Sequence, residues 1–127
     1  MAASTLPPLD NPPSLNAREL HELLVLAYAS RNVAQKRCVD GLRALADSKL
    51  YLQLGFRDLA GYADATLHLQ RTQTFEWLRV SRRLVDLPLF AAAFERGEIS
   101  FTLVAIMTRV ATPETQAEWL EYREDSF

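Results

Sequence analysis

A chain of 127 residues with 49% hydrophobic and 24% charged side chains has the size and balance of one globular domain, long enough to bury a core without disulfide or metal staples. One cysteine, Cys38, and two histidines, His21 and His68, exclude an internal disulfide and every Cys/His zinc pattern. A net charge of −2 argues against a nonspecific cationic nucleic-acid coat, and four glycines disfavour a turn-rich all-β fold.

The charge is unevenly spread. Residues 1–30 sum to −2, residues 31–83 to +5 and residues 84–127 to −5. A basic centre attracts phosphate locally; the alternative is ordinary solvated helix faces. The start of the chain has no basic n-region and no apolar run, and no stretch approaches the ~20 apolar residues of a membrane span. The expected location is therefore the cytoplasm, with no membrane association.

Residues 1–13 hold four of the six prolines and read as a disordered or extended tail. Residues 14–127 read as a single all-helical domain. Ser14 or Asn16 is placed to cap the first helix, and Glu19 completes a capping-box pattern with Asn16. From Ala17 to about Leu52 the spacing predicts a long helix, broken at Gly41 or projecting toward a partner. Leu20, Leu24, Ala27, Arg31, Ala34, Cys38, Gly41, Leu45, Ser48 and Leu52 follow alternating steps of four and three, a heptad-like seam. Two partners fit such a seam: a second copy, making a homodimer through the Leu20–Leu52 helix, or the chain's own later helices. Cys38 itself reads as a small buried hydrophobe.

Leu54-Gly55-Phe56 reads as the stop of that helix. Asp58 then caps a helix over 59–67. His68-Leu69-Gln70 is a tight link, and a further helix is predicted over 71–85, ended by Asp86-Leu87-Pro88. Short helices follow over 89–96, ended by Gly97, and over 101–110, capped by Ser100. Thr112-Pro113 opens a last helix over 114–123. The fold class is all-α: a long N-terminal helix, a helix-turn-helix at about 58–85, and a small helical bundle.

The helix-turn-helix carries the functional argument. Its second helix should bury Thr74, Trp77, Leu78, Ser81, Leu84 and Val85, with Phe75 and Val80 outside that face. In such a unit the start of the second helix enters the major groove. Arg matches two atoms of guanine, Gln two of adenine, and Thr either edge. Arg71, Thr72, Gln73 and Glu76 suit that role, while Arg79, Arg82 and Arg83 suit phosphates. The discriminating feature is whether Arg71, Arg79 and Arg83 form one exposed positive stripe. If acidic groups such as Glu76 cover it, a protein-interaction or dimerisation module without DNA binding is the better reading.

Several short runs point to a family. They are Leu54-Gly55-Phe56, Tyr62-Ala63, Leu67-His68-Leu69-Gln70-Arg71, Leu87-Pro88, Glu95-Arg96-Gly97-Glu98-Ile99-Ser100 and Val110-Ala111-Thr112-Pro113-Glu114. The pattern resembles the bacterial helical domain of unknown function that precedes HNH-endonuclease modules. The stretch also resembles the helix-turn-helix core of ParB-type partition proteins, where a recognition helix leads into Leu-Pro and then a Gly-x-Ile/Leu-Ser. The resemblance implies a DNA-associated helical region ahead of a nuclease, with Arg71, Thr72, Gln73 and Glu76 at recognition positions. The sequence departs from the pattern at Gln70, where both families usually carry serine, and in a recognition helix about one turn longer than that of the partition proteins.

No catalytic centre is expected. An HNH nuclease needs clustered histidines, and His21 and His68 are 47 residues apart with no third. The glutamates Glu114, Glu118, Glu121 and Glu124 read as a solvated helix face, and no glycine loop to cradle phosphate occurs. No cofactor and no metal are expected.

Overall fold

The computed structural model describes residues 15–126; the proline-rich segment 1–13 lies outside them. The described residues form six α-helices and no strand. None of these helices is long and apolar enough to cross a membrane.

The first helix, α1 (Ala17–Ser48), starts on a capping box. The Asn16 side chain accepts from the Glu19 N–H at 2.8 Å, and the Glu19 carboxylate accepts from the Asn16 N–H at 3.3 Å. Two orphan donors of the first turn are thereby satisfied. The helix runs unbroken through Gly41 for 32 residues, about 48 Å at 1.5 Å per residue. Gly41 is no break, because helix propensity costs only ~1 kcal/mol per glycine and the surrounding turns are good helix formers. The helix ends earlier than Leu54-Gly55-Phe56 suggests. Lys49 takes the left-handed conformation, φ 58°, directly after Ser48. A short 3₁₀ turn, Leu50–Leu52, then carries the chain to Gly55, φ 92°. The glycine therefore closes the turn that follows the helix.

The rest of the chain makes α2 (Leu59–Leu67), α3 (Arg71–Leu84), α4 (Pro88–Glu95), α5 (Phe101–Met107) and α6 (Gln116–Ser126). Two apolar clusters hold them. Leu42, Leu59, Ala63, Leu69 and Leu78 form the smaller, beneath the helix-turn-helix. Val80, Leu84, Leu87, Phe90, Ala93, Phe94, Ile99, Val104, Met107 and Ala111 form the larger. Helix α3 contributes to both, so more than one stripe of it is buried. This is why Val80 is fully buried although it lies off the predicted face. Val85, assigned to that face, is 64% exposed because the helix has already ended at Leu84.

Three other expectations are corrected. The buried residues of α1 are Asn32, Val39 and Leu42, roughly a quarter turn from the heptad seam. Leu24, Arg31, Ala34, Cys38, Gly41 and Ser48 of that seam are exposed. Cys38 is thus a surface thiol, because the chain's own helices pack on the adjacent face. Finally, α5 stops at Met107 and α6 begins at Gln116. Between them Thr112 and Thr115 cap each other: each hydroxyl accepts from the other's N–H, at 3.3 and 2.8 Å. Buried Gln116 then accepts from the Leu89 N–H at 2.9 Å, tying α6 to the start of α4.

Candidate nucleic-acid interface

The link between α2 and α3 is built from three residues with distinct tasks. Asp58 caps α2 by accepting from the Gly61 N–H at 2.8 Å. At the other end His68 adopts φ 57° and lets the Leu69 N–H reach back to the Ala63 carbonyl at 3.2 Å, the six-to-one closure of a Schellman turn. Leu69 is buried as the plug of the smaller cluster. Gln70 stands where a serine cap is usual. Its N–H donates instead to the Gln73 side chain at 2.8 Å, and its carbonyl accepts from the Thr74 hydroxyl at 3.1 Å.

The first turn of α3 is exposed at Arg71, Thr72 and Gln73. The exposed Arg71 guanidinium lies 5.0 Å over the Phe75 ring, within reach of a cation–π contact. Thr72 and Gln73 line one wall of a groove of about 710 Å³. Arg31 and Gln35 of α1, and Ser100 and Thr102 at the start of α5, line the same groove. Trp77, half-buried against Phe101 with ring centroids 5.8 Å apart, belongs to the same lining.

Beyond the first turn the predicted residues part company. Glu76 accepts from Arg79 Nε at 2.8 Å and Nη2 at 2.9 Å, and from Arg109 at 3.0 Å on both oxygens. The hydrogen bond from Arg79 chiefly holds the Glu76 carboxyl below its usual range, and the charges of Arg79 and Arg109 add to it, against a smaller effect of burial. The same hydrogen bond raises Arg79. Arg79 also donates to the Ala105 carbonyl at 3.0 Å and to the Thr108 hydroxyl at 3.3 Å. Arg83 donates to the carbonyls of Thr108 at 3.2 Å and Ala111 at 2.8 Å. These carbonyls sit at the C-terminal end of α5, where orphan acceptors and the helix dipole favour a cation. Arg79 and Arg83 therefore clamp α5 onto α3, and the two do not join Arg71 in one exposed stripe. Arg82 is exposed and pairs with exposed Asp47 at 3.3 Å, a contact that salt screens readily.

Sequence reasoning did not single out Arg31, Gln35 and Arg109 for this region. Arg109 lies 33 residues from Glu76 along the chain, and no local pattern announces that pairing. Among the described residues no group of three or more His, Cys, Asp or Glu side chains is placed to share a metal ion. Comparison of the chain with protein-family models, with curated proteins and with solved structures finds no match.

Proposed function

We propose that this protein is a double-stranded DNA-binding helix-turn-helix module that reads base edges with the first turn of α3. Arg71, Thr72 and Gln73 supply the reading groups. Arg82 and Arg31 supply phosphate contacts on either side, and Arg79 and Arg83 brace the helix. The observation that supports this reading is the contrast within α3. Its first turn is exposed, while its middle and end are locked by the Glu76–Arg79–Arg109 cluster and by the Arg83 contacts to α5. A reading element needs that combination of rigid support and accessible donors. The resemblance to domains that precede HNH modules is the sole basis for linking this activity to targeting a nuclease.

A second reading, a protein-interaction module without DNA binding, is favoured by two observations. Glu76 covers the middle of the predicted basic stripe. The N-terminal part of α1 also exposes Leu24, Val25, Leu26 and Tyr28, each by more than 40%, more apolar surface than a solvated helix face carries.

Fluorescence anisotropy of a labelled mixed-sequence duplex separates the two readings. Binding should be salt-sensitive and should be lost in an Arg71→Ala/Thr72→Ala variant whose melting temperature is unchanged. A folded protein that binds no duplex at low salt overturns the DNA reading and leaves the interaction module.

A further inference from the structure

We propose that Phe75 reads the C5 methyl group of thymine, so that the duplex this module selects carries a thymine within about two base pairs of the base that Arg71 meets. The inference rests on the reading of α3 as the element that enters the major groove, and it names the sequence feature that element selects.

Phe75 is the one exposed apolar side chain of α3. Leu78, Val80 and Leu84 are buried and Trp77 is half-buried, whereas Phe75 is 46% exposed. The other described phenylalanines are withdrawn from solvent: Phe90 and Phe94 are fully buried, and Phe56 and Phe101 are half-buried. Core packing therefore accounts for those rings and leaves much of Phe75 without a neighbour.

The ring stands among the groups assigned to base reading. At about 100° per residue it falls between Arg71 and Thr72 when α3 is viewed down its axis, roughly 40° from the first and 60° from the second. It is four residues beyond Arg71, about 6 Å along the helix. Arg71, Phe75 and Arg82 line one groove of about 290 Å³, so an apolar ring is set in a basic stripe. Asp58 borders the same groove, but its carboxylate already accepts from the Gly61 N–H as the cap of α2.

An exposed ring flanked by cations suits a surface that is anionic at its rim and apolar at one point within. The major groove offers that combination, with phosphates along its edges and the thymine methyl among base-edge donors and acceptors. Set against guanine or adenine, the ring would cover hydrogen-bonding atoms and leave them unpaired; the methyl group has no hydrogen bond to lose. The spacing joins this contact to that of Arg71. Successive nucleotides of one strand are about 3.4 Å apart along the duplex axis, so the 6 Å between the two residues spans less than two steps for a helix lying along the groove. The Arg71 guanidinium, 5.0 Å over the ring, holds both groups in a single patch.

Deoxyuridine tests the proposal, because it differs from thymidine only in lacking the methyl group. Fluorescence anisotropy would compare a labelled mixed-sequence duplex with the same duplex carrying deoxyuridine at every thymine position. Wild-type protein should bind the thymine duplex about fourfold more tightly, the effect of burying one methyl group. Phe75→Ala should bind the two duplexes alike, with an unchanged circular dichroism spectrum. Phe75→Leu, which keeps an apolar tip, should retain the preference. Equal binding of both duplexes by the wild type overturns the role of Phe75 and leaves the DNA reading standing, and so does a full preference that survives Phe75→Ala. Failure to bind either duplex at low salt overturns the DNA reading and this inference with it.

Discussion

Asn32, in the middle of α1, donates its side-chain amide to the carbonyl oxygen of Gly97 at 3.1 Å, and both residues are buried. This contact fastens the middle of α1 to the turn that follows α4. C-terminal to it, α1 buries Val39 and Leu42; N-terminal to it, Leu24, Val25, Leu26 and Tyr28 are exposed.

Gly97 tolerates no side chain there. Its φ is 81°, and an added Cβ would lie 2.5 Å from the Ala29 carbonyl oxygen. The obstacle is helix backbone and cannot step aside. Gly97→Ala should destabilise the protein by about 3 kcal/mol, combining left-handed strain with overpacking. Chemical denaturation measures it, and a loss under about 1 kcal/mol would show that α1 and α4 separate easily.

Arg83 offers a test of the clamp. Its two carbonyl contacts to the end of α5 are charge-assisted, so Arg83→Ala should cost about 2 kcal/mol. Arg71→Ala should cost less than about 0.5 kcal/mol, as is usual for surface substitutions. Equal losses in thermal melts would contradict the division of α3 into an exposed reading turn and a braced body.

Glu76 confers a pH dependence whose sign follows from its lowered pKa. A carboxylate whose folded pKa lies below its unfolded value contributes its full stabilisation above the unfolded pKa. That contribution fades as pH falls below about 4 and is lost through the folded pKa. Glu76→Gln should therefore lower stability at pH 7 and flatten the decline between neutral and acid pH. Melting temperatures of both proteins at pH 7 and pH 3 measure the difference; parallel curves would remove Glu76 as a contributor.

His68 sits in the left-handed conformation at the turn of the helix-turn-helix. A non-glycine residue there costs about 1–2 kcal/mol, and glycine forfeits about 0.5–1 kcal/mol of unfolded-chain entropy. His68→Gly should raise stability by about 0.5 kcal/mol and leave the α2–α3 geometry unchanged. A destabilised variant would mean that the imidazole makes a contribution of its own.

Local chemistry was legible in the sequence. The capping box of Asn16 and Glu19, the Asp58 cap, the three-residue link and the Ser100 cap all lie at the expected positions, because each depends on side chains within three or four residues of the backbone groups they satisfy. All-helical character followed from the same signals repeated along the chain. What stayed hidden depended on contacts between residues far apart in the chain. Arg79 and Arg83 have the composition of phosphate-binding arms, and only the approach of α5 gives their donors internal acceptors. The heptad pattern of α1 is real as spacing, yet Val39 and Leu42 on the neighbouring face are the apolar residues that are buried, Leu42 in the cluster with Leu59 and Ala63 of α2 and Leu78 of α3. A helix carrying apolar residues on two adjacent faces has no means of ranking them until its neighbours arrive, and the tertiary structure made that choice.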